Sequence, residues 1–136
     1  ACVNKTSGVN GPRISYDSRK SESDAYWRSV WPWQVSAHAQ PANGDLTLVI
    51  QNVEYQQYLL NNISVAGSGF AGVYATPTYL SGGEKKTITI PWSTNGVCDA
   101  GTVYKYYVNF SYDETGDNPI TGMRQYGARS IIGKCS

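Results

Sequence analysis

The sequence predicts an all-β fold, an immunoglobulin-like sandwich of seven or eight mostly antiparallel strands. Three observations carry this. Aromatic residues make up 12% of the 136-residue chain, and 11 of them are tyrosines, while charged residues are only 15%. Several segments alternate apolar and polar residues at period two, the mark of a half-buried strand. Between them lie clusters of Gly, Pro, Asn and Ser, which break regular structure. Helical bundles favour Leu, Ala, Glu and Lys instead. A small barrel is the alternative closure of such strands.

In order along the chain, residues 1–24 read as a polar N-terminal segment or linker, and 25–136 as the sandwich domain. Gly8, Asn10, Gly11 and Pro12 interrupt any regular element. Arg13 to Tyr16 could be a short edge strand, and Asp17 to Asp24 an exposed loop. No convincing helix is expected. Trp33 to Gln40 alternates, with Trp33, Val35, Ala37 and Ala39 inward and His38 on the polar face. Pro41 to Gly44 is a turn into a second strand, Asp45 to Asn52, and the two form a hairpin. A strand or strand pair follows over 55–66. Val73 to Leu80 contains Pro77 and suits an edge. Lys85 to Trp92 alternates Thr and Lys with Ile. Thr102 to Tyr112 is the clearest strand, with Tyr104, Tyr106, Val108, Phe110 and Tyr112 on one face. Ile120 to Gly133 is the last strand, with its buried set left open. The expected core is Leu46, Leu48, Ile50, Ile63, Val65, Ile88, Ile90, Val108 and Phe110.

The composition excludes several classes of function. A net charge of +1 lacks the dense basic footprint of a nucleic-acid binder. The apolar runs are too short to span a membrane, so membrane attachment would require an upstream helix. The chain begins Ala-Cys-Val-Asn without an initiator Met, which suggests processing or truncation. Low charge, abundant tyrosine and three Asn-x-Ser/Thr sequons at Asn4, Asn62 and Asn109 favour an extracellular or cell-surface location. Asn109 is expected to face solvent.

The three cysteines, at positions 2, 98 and 135, have no zinc-ligand spacing. In a symmetric hairpin about residues 113–120, facing residue numbers add to about 233, which is the sum of 98 and 135. A disulfide between Cys98 and Cys135 is therefore expected, with Cys2 left over, although Cys2 could displace either partner.

Catalysis finds little support. His38, the sole histidine, has no recognisable partner. Asp113 to Asn118 holds three carboxylates that could ligate calcium, but a hairpin loop collects such residues for its turns. No phosphate loop, nucleophile elbow or zinc-protease motif occurs. No cofactor and no metal are expected. Tyr26, Trp27, Trp31 and Trp33 could form an aromatic contact surface for a sugar, although such residues in a β protein more often fill the core.

Three segments together resemble a family. They are Tyr26-Trp27-Arg28-Ser29-Val30-Trp31-Pro32, Gly44 to Asn52, and Leu80-Ser81-Gly82-Gly83-Glu84 running on to Ile90. The Tyr-rich strand after Cys98, Tyr126-Gly127-Ala128-Arg129 and the ending Ile132-Gly133-Lys134-Cys135-Ser136 add to it. Over residues 25–136 the chain resembles the globular head of archaeal type IV pilin-like proteins, those made with class III signal peptides. The resemblance implies a structural subunit of a surface filament serving adhesion or motility. Its partners would be identical subunits, joined through an N-terminal hydrophobic helix that this chain lacks. A glycan-binding module of a secreted or cell-surface protein is the alternative, with a surface glycan as partner. Strand exchange, with residues 1–24 donated to a neighbour, is a third.

Overall fold

The computed structural model describes residues 6–42, 44–67, 70–91 and 98–136, with side chains left undescribed at 6–15 and 70. The Asn4 sequon, Cys2, and the expected strand end and turn over 92–97 lie outside the described residues. Helix α1 (Thr6–Trp27) is followed by nine strands among the described residues: β1 (Trp33–Ala39), β2 (Leu46–Asn52), β3 (Tyr58–Gly67), β4 (Phe70–Tyr74), β5 (Thr78–Leu80), β6 (Lys85–Ile90), β7 (Val103–Glu114), β8 (Met123–Tyr126) and β9 (Ile131–Lys134). They form two antiparallel sheets. One is β1-β2-β6. The other runs β4-β3-β7-β8, with β5 also on β3 and β9 also on β7. The expected β-sandwich is present, with more strands because two expected strands are each broken in two.

Alternation placed the core correctly wherever a strand is flanked on both sides. All nine expected core residues are buried, and so are Tyr104, Tyr106 and Tyr112. Strand β2 buries every second residue without exception. Its pairing with β6 stacks Leu48 opposite Ile88 and Leu46 opposite Ile90. Burial of such side chains contributes roughly 1.5–3 kcal/mol each.

Residues 6–27 overturn the expectation of a turn-rich segment with an edge strand and loop: they form one helix of 22 residues. Gly8, Gly11 and Pro12 lie within it. Tyr16, Lys20, Ser23, Asp24 and Trp27 recur at helical spacing and form its docked face, while Asp17, Arg19, Ser21 and Glu22 are exposed. Lys20 Nζ pairs with both Asp24 oxygens at 3.1 and 3.2 Å, one turn apart. Ser23 Oγ donates to the Ser130 carbonyl at 2.6 Å, and Trp27 Nε1 to the Arg129 carbonyl at 3.1 Å. The Lys134 ammonium lies 4.6 Å from the Tyr16 ring centroid. The helix thus lies along β9 and β1, the strands at one open side of the sandwich.

The expected last strand, 120–133, is interrupted at residues 127–130, and Trp27 sits at the break. A Cβ on Gly127 would fall 2.7 Å from the Trp27 ring and 2.6 Å from the Val108 carbonyl, so only glycine fits. β8 pairs with the second half of β7 and β9 with the first. The register departs from the symmetric hairpin. Tyr104 faces Gly133, where the symmetric reading places Arg129. Cys135 consequently lies opposite Thr102, not Cys98, and its N–H donates to the Thr102 carbonyl at 2.9 Å. A turn over Asp99–Thr102 carries Cys98 back, and the Cys98 and Cys135 Cα atoms are 6.0 Å apart, at disulfide distance. The expected pair is adjacent, brought together by the Asp99–Thr102 turn and not by the symmetric register.

Candidate functional site

The sandwich side under α1 is unlike the rest of the core, because polar groups join the two sheets there. Gln125 on β8 is bonded twice to the Trp33 backbone. Its Nε2 donates to the carbonyl at 2.9 Å, and its Oε1 accepts from the N–H at 3.0 Å. The Tyr106 hydroxyl donates to Gln40 Oε1 at 2.6 Å. His38 Nδ1 and the Tyr104 hydroxyl are 2.6 Å apart. The Ser136 N–H donates to the Gln40 carbonyl at 3.0 Å, and the Ala42 N–H to the Ser136 carbonyl at 2.8 Å. A row of bridges therefore ties β1 and its turn to β7, β8 and the C-terminus.

His38 corrects the sequence reading. A β-bulge between Val35 and Ala37 shifts the phase of β1. Ala37 and Ala39, expected inward, are exposed, and His38, expected on the solvated face, is half-buried against Tyr104. Burial, with the nearby Lys20 ammonium, pushes its pKa down to about 4, against a smaller upward pull from Asp24. Burial also raises the Tyr104 hydroxyl, helped by its stacking neighbour Tyr106. At neutral pH both side chains are uncharged, as a structural bridge requires. A cleft of about 220 Å³ borders His38, lined also in part by Lys20, Asp24, Arg28 and Ser36. It offers mixed polar groups that suit a small polar molecule or water.

The expected aromatic contact surface is dispersed. Trp27 and Trp33 are 1% and 0% exposed and belong to the core. Trp33 stacks on Phe110 at 5.7 Å, and its Nε1 has no hydrogen-bond partner among the described residues. Tyr26 is half-buried, and its hydroxyl accepts from the Ala128 N–H at 2.8 Å. Trp31 alone of the four stands out, at 70% exposure. Pro32 and Val53 are joined by a 2.9 Å backbone bond, which brings Trp31 to the end of the sandwich that carries the 53–57 loop. Tyr55 in that loop is 94% exposed, and no sequence signal marked it. The loop is rigidly built. Buried Asn52 donates to the Gln56, Leu80 and Ser81 carbonyls and accepts from the Glu54 N–H. A Cβ on Gly82 would fall 2.4 Å from the Tyr55 carbonyl oxygen.

The acidic loop uses its carboxylates on its own turn. Asp113 Oδ1 accepts from the Gly122 N–H at 2.7 Å, and Glu114 Oε1 from the Ile120 N–H at 3.2 Å. Among the described residues no three potential metal ligands cluster. Asn62 and Asn109 both lie on the outward face of the larger sheet, on paired strands. Asn109 is half-buried rather than fully solvated, and its Oδ1 accepts from the Gly127 N–H at 3.1 Å.

No family model, curated protein or solved structure matches this chain.

Proposed function

We propose that this chain is the outward head of an archaeal pilin-like filament subunit at the cell surface, serving adhesion or motility. The observation that carries the reading is helix α1. Its second half is built into the open side of a β-sandwich by Ser23, Trp27 and the Tyr16–Lys134 contact. Its first half, from Thr6, leads into the head. A helix fixed rigidly to a β head is what a filament subunit needs to pass its position from a helical stalk to the exterior. Low charge, two sequons on one outward face and a cysteine pair at disulfide distance suit the extracellular setting. Partners would be identical subunits, engaged through sequence upstream of α1. The test is to shear filaments from cells that make the protein and analyse them by mass spectrometry. Peptides of this chain should dominate. Their absence from the filaments, with the protein found elsewhere, would sink the reading.

A second reading is supported by Trp31 and Tyr55. Two exposed aromatic side chains on a braced loop end suit stacking on the apolar face of a sugar, as in a glycan-binding module. Glycan-array binding that is lost in both Trp31→Ala and Tyr55→Ala would favour it over the filament reading.

A further inference from the structure

We propose that the cleft between α1 and the outer side of β7 and β9 is a binding site for one acidic sugar residue, a pyranose carrying a carboxylate, such as a uronate. The site shares no residue with Trp31 and Tyr55, and the proposal holds whether or not the chain forms filaments.

The break at 127–130 opens this cleft. There β8 leaves β7 before β9 joins it, and α1 is bonded to the Arg129 and Ser130 backbone. The space is about 200 Å³. Arg19 and Glu22 line it from the helix, Lys105 and Tyr107 from β7, and Arg129 and Ser130 from the break. Three cations therefore share one small cleft with one carboxylate, in a chain whose whole net charge is +1. Arg129 lies 3.8 Å from Glu22, and both side chains are more than half exposed. So loose and solvated a pair leaves the guanidinium donors for a second acceptor. Lys105 has a partner within the chain. It adds positive charge to the cleft and is not needed as a donor.

Ser130 is an independent sign of a ligand. The residue is 8% exposed. Its carbonyl accepts from Ser23, while its hydroxyl has no partner among the described residues. A buried hydroxyl left unpaired costs free energy, which a ligand hydroxyl in the cleft would recover.

These groups select the chemistry of the ligand. Two guanidinium forks match the planar oxygens of a carboxylate. The Tyr107 ring, 55% exposed, offers a face to the apolar side of a pyranose. Ser130 can donate to or accept from a ring hydroxyl, and Glu22 can accept from another. Glu22 also repels a dianion more than a monoanion, which favours a carboxylate over a phosphate. A bare anion would leave Tyr107 and Ser130 unused. The volume lies below the roughly 300 Å³ at which pockets begin to hold drug-sized molecules, so one ring fits and further sugars would extend into solvent.

The test is an NMR titration of the full chain, labelled with nitrogen-15, against sodium glucuronate at constant ionic strength. Saturable shifts are expected at Tyr107 and across 128–130, with a Kd in the millimolar range. Glucose should produce none, and acetate and inorganic sulfate should bind at least about tenfold more weakly. Arg19→Gln and Arg129→Gln should each raise the glucuronate Kd about tenfold. Both side chains stand in solvent, and the Arg129 carbonyl that accepts from Trp27 is kept in the variant. The unbound spectra of the variants check that they fold. Tyr107→Ala and Ser130→Ala should narrow the margin of glucuronate over acetate, a readout that loss of charge alone would not move. Absence of saturable binding overturns the proposal. So does acetate or sulfate binding as tight as glucuronate, which would mark an anion site only, or glucose binding as tight as glucuronate. A Kd indifferent to either arginine, or shifts centred on Trp31 and Tyr55, would overturn it as well.

Discussion

The two sides of the sandwich are closed in different ways. On the β2, β3, β6 and β7 side, apolar side chains alternate and the sheets meet through Leu, Ile, Val and Phe. On the β1 and β9 side they meet through Gln125, His38, Gln40, Tyr104 and Tyr106, with α1 laid over the junction. The first side tolerates looseness, because hydrophobic contact is non-directional. The second depends on directional bonds that are lost whole when one partner goes. A core of the first kind is written in the period of the sequence, and a junction of the second kind is not.

The largest test of this difference is Trp27→Ala against Leu48→Ala. Each removes a fully buried side chain and should cost roughly 3–5 and 2–5 kcal/mol respectively. Trp27→Ala should also free α1 from the head. Hydrogen exchange is expected to rise across residues 16–27 and at β9 in that variant, and to stay near the wild-type pattern there in Leu48→Ala. Equal exchange profiles would mean the helix is held by other contacts.

Cysteine substitution probes the same end of the molecule. Cys98→Ser and Cys135→Ser should each lower stability by about 3–4 kcal/mol, with the double variant little worse, because a single loop closure is lost. Chemical denaturation of the oxidised and reduced protein gives the comparison. Non-reducing peptide maps that join either residue to Cys2 would remove its basis.

Acid should weaken the polar junction first. Unfolded, His38 takes up its proton near pH 6.5, and folded only near pH 4. Between those values the unfolded chain holds the extra proton, so stability is complete above pH 6.5 and falls as the pH drops towards 4. The loss is at most about 3 kcal/mol, and less because part of the ring meets solvent. Melting curves of wild type and His38→Gln across pH 7 to 4 should diverge most at neutral pH, with the variant showing the flatter dependence. The smallest effect is expected at Trp31: truncation to Ala should shift stability by no more than about 0.5 kcal/mol, since the ring stands mostly in solvent.

The parts that were legible were those under one dominant force. Leu46, Leu48 and Ile50 could be placed because nothing competes with burial along β2. The helix escaped because its docked face is Tyr16, Lys20, Ser23, Asp24 and Trp27, mostly polar, and because Gly8, Gly11 and Pro12 suggested a break. The spacing of those five residues, with the Lys20–Asp24 pair, was the signal available. His38 was misplaced because a bulge leaves no mark in alternation until its partner strand is known. The break at Gly127 was hidden for a related reason: its cause, Trp27, lies a hundred residues away in the chain.

The contact between Tyr16 and Lys134 also bears on force. The helix lies against β9, so these two elements are neighbours on one side of the head. Tension applied between α1 and the C-terminal strand would be borne by Tyr16, Ser23, Trp27 and their β9-side partners. The β2–β6 and β3–β7 ladders would lie outside the load path. Such a load would reach the contacts of the helix first and, once they gave way, would pass through the short link from Trp27 to Trp33 into β1.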